Sequence, residues 1–295
     1  MTSRRLDHTA SLTAQLNAAQ RTAESMQPPS RRLLDDPHSR HFVRHPLLRA
    51  ILAHRLSAGA AVRILDRLWG GLHAHIVLRV RYTDDVCDAA MCDGIDQIVL
   101  LGAGFDTTSL RKARNTAAIF EVDAPATQSD KRPITERHLP SAECSQTIWV
   151  PCDFEEDRLQ KQLITYGFDS ARPSVIVWLG VSPYLTAGAI DHVLTDLETL
   201  CAPGSRLVVD YIDAGVVDAT TPWKSARRVA RAVARRGEPY RSGFTEAGLE
   251  ALLASHGFSR RGHETVSSLL QRYDPAHLSR LAGDDWLAIT TAEKN

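Results

Sequence analysis

Long apolar runs, paired cysteines and net charge are all missing from this chain, and each absence excludes a class of protein. No run approaches the roughly 18 apolar residues that a membrane-spanning helix needs. The opening MTSRRLDHTASLTAQLNAAQ carries charges but no apolar core, which argues against a secretory leader. The cysteines, Cys87, Cys92, Cys144, Cys152 and Cys201, form no C-x-x-C pair and have no histidine partner at zinc-finger spacing. Neither a disulfide scaffold nor a structural metal is expected, and the thiols read as reduced ones in a soluble cytoplasmic protein. Lys+Arg and Asp+Glu are both 35, and this neutrality speaks against a nucleic-acid or membrane partner. Lysine is scarce within the basic set, occurring only at 112, 131, 161, 224 and 294. We read that scarcity as coding bias.

What is present is ordinary globular material: 295 residues, 43% hydrophobic and 24% charged, enough to bury a sizeable core. Residues 1–94 read as helical. SLTAQLNAAQRTAESM has Ala and Leu at helical spacing, and QPPSRRLLDDPHSR is a proline-punctuated loop. HPLLRAILAHRLSAGAAVRILDRLW is amphipathic, with Leu48, Leu52 and Leu56 and then Ile64, Leu65 and Leu68 on repeating faces. Gly70-Gly71 breaks it, and a further helix runs to Gly94. From residue 95 the pattern changes to strands alternating with helices. QIVLLGAG, AIFEVD, TIWVPCDF, SVIVWLGVSPYL and SRLVVDYI are strand runs, with GHETVS and DWLAITTA weaker candidates near the end. The strand runs are apolar on both parities, as a sheet covered on both faces requires. The expectation is an α/β fold with a doubly wound, Rossmann-like sheet of about seven strands. It divides into a helical cap over 1–94 and a sheet domain over 95–295, with an Arg-rich insertion around 213–245.

The turn after the first strand, GAGFDT, supplies Gly102, Gly104 and Asp106 at the strand end where open α/β sheets bind ligands. The helix after it would turn its N–H groups toward a negative group. Asp123 follows 21 residues after Gly102, ends the second strand and is placed to accept ribose hydroxyls. Asp153 ends the third strand, where a carboxylate can meet an adenine amine and Phe154 offers an apolar edge. Taken alone, Asp153 reads equally well as a helix N-cap. Position 107 is Thr where a dinucleotide turn wants a third glycine or alanine. Three strand ends thus suit an adenosine without a pyrophosphate, which points to S-adenosyl-L-methionine.

VLLGAGFDT, FEVDAPATQSDKR, VPCDF, GFDSARPSVIVWLGVSPYLT and CAPGSRLVVDY follow, in order and spacing, the methyltransferases of the leucine carboxyl methyltransferase type. LRVRYTDD and AAQRTAESMQPPSRRLLDDPHSRHF resemble the bacterial branch, so the resemblance covers roughly residues 15–290. It implies a class I methyltransferase sheet and S-adenosyl-L-methionine as cofactor. It also implies that Arg81 pairs with the methionine carboxylate, in preference to Arg79 two residues away. It places Gly102 under the methionine part, Asp123 on the ribose, and Asp153 and Phe154 beside the adenine. Many relatives carry a glutamate after the fourth strand where this chain has Leu179, which removes a polar contact near the cofactor or the transferring methyl and leaves the backbone of Leu179 and Gly180 to serve.

The reaction so implied is O-methyl transfer to a carboxylate or hydroxyl of a small molecule, in natural-product biosynthesis. A carboxylate acceptor needs no general base and an alcohol or phenol does. Tyr184, Tyr211 and His73 are the weak candidates for such a group. Trp223, Tyr240 and Arg241 are candidate substrate contacts. Two other readings share part of the pattern. An NAD(P)-dependent oxidoreductase explains the glycine turn and Asp123 but not Asp153 or the long helical lead-in. A non-catalytic cofactor-binding protein accommodates Leu179. A hydrolase does not fit, because GVSPY (Gly180 to Tyr184) lacks the second glycine of a nucleophile elbow.

Overall fold

A computed structural model describes residues 12–112, 117–138 and 147–295. The N-terminal part contains α1 (Leu12–Ser25), α2 (Pro46–Ile51), α3 (Arg55–Trp69) and α4 (Leu72–Cys92). The alternating part runs β1 (Gln97–Leu101), α5 (Thr108–Arg111), β2 (Ala118–Asp123), α6 (Pro125–His138), β3 (Thr147–Pro151), α7 (Leu159–Thr165) and β4 (Val175–Trp178). It continues through α8 (Ala187–Leu200), β5 (Arg206–Ile212), α9 (Ala214–Val217), α10 (Lys224–Arg235), α11 (Glu246–Ser255), β6 (Phe258–Thr265), α12 (Val266–Tyr273) and β7 (Leu287–Lys294).

The seven strands form one sheet in the order β3-β2-β1-β4-β5-β7-β6. The first five pair in parallel, and β7 is antiparallel to both β5 and β6. Strand order reverses between β1 and β4, which are neighbours in register from Ile98↔Val175 to Leu101↔Trp178. The uniform burial of β1 and β4 comes from helices on both faces. Val99, Leu101, Ile176, Trp178, Leu207 and Val209 face one side, against Leu159 and Leu163 of α7, Leu194 and Leu197 of α8 and Leu253 of α11. Ile98, Leu100, Val175 and Val177 face the other, against Cys87 and Ala90 of α4. The final helix of the N-terminal part is therefore a layer of the sheet packing as well as its lead-in.

The amphipathic segment 46–69 is two helices. The Ser57 hydroxyl donates to Ile51 O (2.6 Å) at the end of α2, with His54 O 2.9 Å away, and the His54 carbonyl also accepts from Ala58 N (3.0 Å). The face that α3 buries is its small one, Ala58, Gly59 and Val62 with Asp66, packed near Ala23 of α1. Leu56 (87% exposed), Ile64 and Leu68 point to solvent. α7 begins at Leu159, so Asp153 is not its N-cap; the Asp153 carboxylate instead accepts from Glu155 N (2.9 Å) in a turn. The insertion holds α9 and α10. Among the described residues no helix is long and apolar enough to cross a membrane. Cys87, Cys92, Cys152 and Cys201 are free thiols, and Cys144 lies outside the described residues. Burial pushes the Cys87, Cys152 and Cys201 thiols up to about 12.

Candidate functional site

The carboxyl ends of β1 to β4 open on a cavity of about 400 Å³, at the switch in strand order. Gly102, Gly104, Asp106, Asp123, Asp153, Phe154 and Leu179 all line it, so seven of the expected contacts come together. α1 lies over the mouth, presenting Thr13, Asn17 and Arg21 at helical spacing, and Gly237 to Pro239 with Arg241 close another side.

Gly102 has φ +63, and a Cβ there would lie 2.2 Å from Cγ2 of Val181. Only glycine lets the turn after β1 pass so close to the turn after β4. The N–H groups of Gly102 and Ala103 both reach Val122 O (2.8 and 3.1 Å). Asp123 holds the next part of the turn: its carboxylate accepts from Gly104 N and from Ala124 N (2.7 Å). Burial raises the pKa of Asp123 above the ordinary carboxylate range, and those two N–H bonds work against the rise.

The helix after the turn, α5, has only four residues, and its first N–H (Thr108 N) is already bonded to Asp106 (2.6 Å). The expected helix-terminus cradle for an anion is thus largely spent inside the protein. Burial opposes ionisation of Asp106 too, but the charges of Arg111, Lys131 and Arg21 prevail and hold it at about 2. Arg21 donates to Asp36 (2.8 Å) and to Phe105 O (2.6 Å), which ties α1 to the turn.

The arginine in the cavity is Arg79, not Arg81. Arg79 is buried, and its Nη1 donates to Asp210 of β5 (2.6 Å). The other oxygen of Asp210 accepts from Gly180 N (2.6 Å), and His75 Nε2 lies 3.2 Å from the first. Nε of Arg79 is buried with no hydrogen-bond partner. Arg81 is half exposed on another side of α4, 3.5 Å from Asp85 and with its guanidinium over the Tyr273 ring. Two residues turn a helix by about 200°, so the two arginines cannot share a site. Asp210 is also buried, which disfavours its charge, yet Arg79 and His75 bring it down to about 2.

A smaller cavity of about 70 Å³ borders the first, sharing Thr13, Asn17, Arg79, Gly180 and Tyr184 with it. Its further walls include Leu16, Trp69, Leu72, Ile76, Val229 and Leu287, with Tyr240 and Arg236 among the polar members. The rings of Tyr184 and Tyr240 lie 5.3 Å apart. Burial raises Tyr184 well above 10 and Tyr240 to about 12, so both are neutral donors at neutral pH rather than bases. Arg241 is on the rim of the larger cavity, 3.4 Å from Glu155.

Three candidates fall elsewhere or serve other bonds. His73 is fully buried, 3.3 Å from Glu24, and lines neither cavity. Trp223 precedes α10 and packs against the apolar cluster of that helix, away from both cavities. Tyr211 borders the smaller cavity, but its hydroxyl bonds His263 Nε2 (2.9 Å) and burial lifts its pKa to about 12. The residues that sequence reasoning passed over are Asn17, Arg21, Glu155 and Glu238. For Asn17 and Arg21 the polar 13–17–21 spacing on α1 is the available signal; Glu155 and Glu238 lie in loops outside that helix and carry no such pattern.

A parallel five-stranded run ended by an antiparallel β7, with a nucleotide-sized cavity at its switch point, is the Rossmann-like sheet of class I methyltransferases. The leucine carboxyl methyltransferase family model matches residues 14–198, and the chain belongs to that family. Among curated relatives, a Frankia alni protein is 34% identical over 55% of this chain and 57% of its own length. A Mycobacterium ulcerans protein is 31% identical over 72% of this chain and 67% of its own. Both names specify an S-adenosyl-L-methionine-dependent methyltransferase and no acceptor. The chain spans just under three fifths of the length of the first relatives it matches. A solved Thermobifida fusca structure, titled as a methyltransferase, superposes with a TM-score of 0.58 at 16% identity, covering 94% of both chains. A Streptomyces avermitilis structure does so at 0.54 and 16%, covering 82% of this chain and 92% of that one.

Proposed function

We propose that this protein is an S-adenosyl-L-methionine-dependent O-methyltransferase acting on a carboxylate or hydroxyl of a small molecule, in natural-product biosynthesis in the cytoplasm. The observation that carries the reading is the convergence of Asp123, Asp153 with Phe154, and buried Arg79 on one cavity of about 400 Å³. The donor set fits the cofactor piece by piece. Asp123 suits the ribose hydroxyls, and Asp153 with Phe154 suits the adenine. The Nε of Arg79, buried and without a partner, is a donor with bonding capacity to spare for the amino-acid carboxylate. Asn17 and Arg21 on α1 close the same space.

S-adenosyl-L-methionine supplies a methyl group already activated on a sulfonium, so the protein's part is alignment and exclusion of water. The smaller cavity holds the acceptor, with its apolar walls around the acceptor's body and the open side facing Arg79 and Tyr184. Asp210 is committed to Arg79 and Gly180, and the two tyrosines are neutral, so none of them takes a proton at neutral pH. That arrangement favours a carboxylate, which arrives ionised, over a hydroxyl. We read residues 1–94 as the cap of the sheet domain 95–295, with α4 shared between them because it is also a layer of the sheet packing, and the insertion around 213–245 as a wall on the acceptor side. The backbone of Leu179 serves where relatives use a glutamate side chain.

Calorimetry with S-adenosylhomocysteine tests the site. Tight binding to the native chain and severe weakening in Asp123→Ala, with the thermal transition retained, is the expected result. Binding of NAD(H) in place of S-adenosylhomocysteine would sink the proposal. Turnover of labelled cofactor against a panel of carboxylic acids, then phenols, identifies the acceptor and decides against a non-catalytic role.

A further inference from the structure

The charge of this neutral chain is unevenly spread. Helices α2, α3 and α10 carry nine cationic side chains and one carboxylate, Asp66, which is buried. Lys224, Arg228, Arg231 and Arg235 are all exposed and recur at spacings of four, three and four, which is one face of α10. Arg49 on α2 and Arg55, Arg63 and Arg67 on α3 are exposed as well. Arg228 Nη1 donates to Leu68 O (3.3 Å), so the α10 stripe borders α3 directly. Among the described residues no ion pair involves any of these eight cations.

Among the described residues, the same helices hold most of the exposed large apolar side chains: Leu47 (63% exposed), Leu56 (87%), Ile64 and Leu68 are four of seven. Three of them stand directly after an arginine, in Arg55-Leu56, Arg63-Ile64 and Arg67-Leu68, and none lines either cavity of the candidate site. The cores of protein–protein interfaces are depleted of charge. This alternation instead matches a headgroup boundary, where guanidinium groups meet lipid phosphates and short apolar side chains enter the acyl edge.

We propose that the α2–α3–α10 surface docks the protein peripherally on an anionic lipid bilayer. The opposite face of α10, through Val229 and Val233, walls the smaller cavity. Docking therefore sets that cavity wall beside the bilayer, where an acceptor with an apolar body partitions. The docking itself does not depend on the chemistry proposed for the site.

Co-sedimentation of the full chain with vesicles tests it, using phosphatidylcholine alone and phosphatidylcholine with roughly one-third phosphatidylglycerol. Binding is expected to the anionic vesicles only, and to fade as salt screens the charges. The triple variant Arg228→Gln, Arg231→Gln, Arg235→Gln should bind about a hundredfold more weakly, at roughly a factor of five per arginine. Leu56→Ser with Ile64→Ser should weaken binding several-fold at unchanged charge. Both variants alter exposed side chains, and an unchanged thermal transition and S-adenosylhomocysteine affinity check their folding. No binding to anionic vesicles, equal binding to neutral ones, or full binding by the triple variant overturns the proposal. Capture by soluble polyglutamate with no vesicle binding overturns it in favour of an acidic protein partner.

Discussion

Replacing Asp210 by Asn tests whether a buried charge pair organises the site. The substitution keeps the shape of the side chain and removes its charge. In the native chain Asp210 receives Arg79 and Gly180 N, both at 2.6 Å, and sits 3.2 Å from His75. Burial disfavours its charge, yet these partners lower it from 3.8 to about 2. At 1.36 kcal/mol per unit, that shift is worth on the order of 2.5 kcal/mol of stability at neutral pH. The variant also leaves Arg79 buried without a counter-charge, and breaking such a pair costs about 3–5 kcal/mol. We expect a loss of about 3 kcal/mol in urea unfolding at about pH 7. The sign of the pH dependence follows from the direction of the shift. A lowered carboxylate pKa gives stability that is present above 3.8 and lost as pH falls toward about 2. The difference between native and variant chains should therefore hold from neutral pH down to about 4 and shrink below it. A loss under about 1 kcal/mol at neutral pH, or a difference that stays constant down to about pH 3, refutes the reasoning.

Two further substitutions discriminate residues rather than networks. Arg79→Lys keeps the charge and loses the planar fork, and should weaken S-adenosylhomocysteine binding by about 10-fold or more, while Arg81→Lys should leave it unchanged; calorimetry on both variants shows which arginine serves the cofactor. Gly102→Ala places a Cβ 2.2 Å from Val181 at a φ of +63, which should cost about 2–3 kcal/mol or more in unfolding free energy. Adding Val181→Ala should recover the part of that loss due to contact and leave the part due to backbone conformation.

The strands were legible because they are buried on both faces. A run such as QIVLL in β1 needs no periodicity to be recognised, since every residue of it is covered. The three strand-end residues were legible for a related reason, since a parallel sheet delivers each carboxyl end to the same edge. β6, one of the two weaker strand candidates, is faint in the sequence because Ser259, Arg260 and Arg261 are polar and it lies at the edge of the sheet. Its register shift at Arg260/Gly262 interrupts the alternation further. The break between α2 and α3 was hidden because leucine spacing continues through it. Leu56, Ile64 and Leu68, which look like part of a buried stripe, are on the exposed side of α3, and the helix packs through alanine, glycine and valine.

The arginine assignment turns on helix phase, which a single sequence does not supply. α4 buries His73, His75, Ile76, Arg79, Val80 and Thr83 together, so hydropathy marks no single inward face. Arg79 and Arg81 then look equivalent, and only the partner decides between them. That partner is Asp210, 131 residues away on the far side of the switch point. Gly180 closes the same network, because a Cβ there would lie 3.0 Å from an Arg79 nitrogen at a φ of +71. A glycine one residue after Leu179 is thus what admits the guanidinium, and the Asp210–Gly180 bond fixes the turn that carries the apolar Leu179. Leu179 offers the turn after β4 no polar side chain, and Asp210 supports that turn from the neighbouring strand.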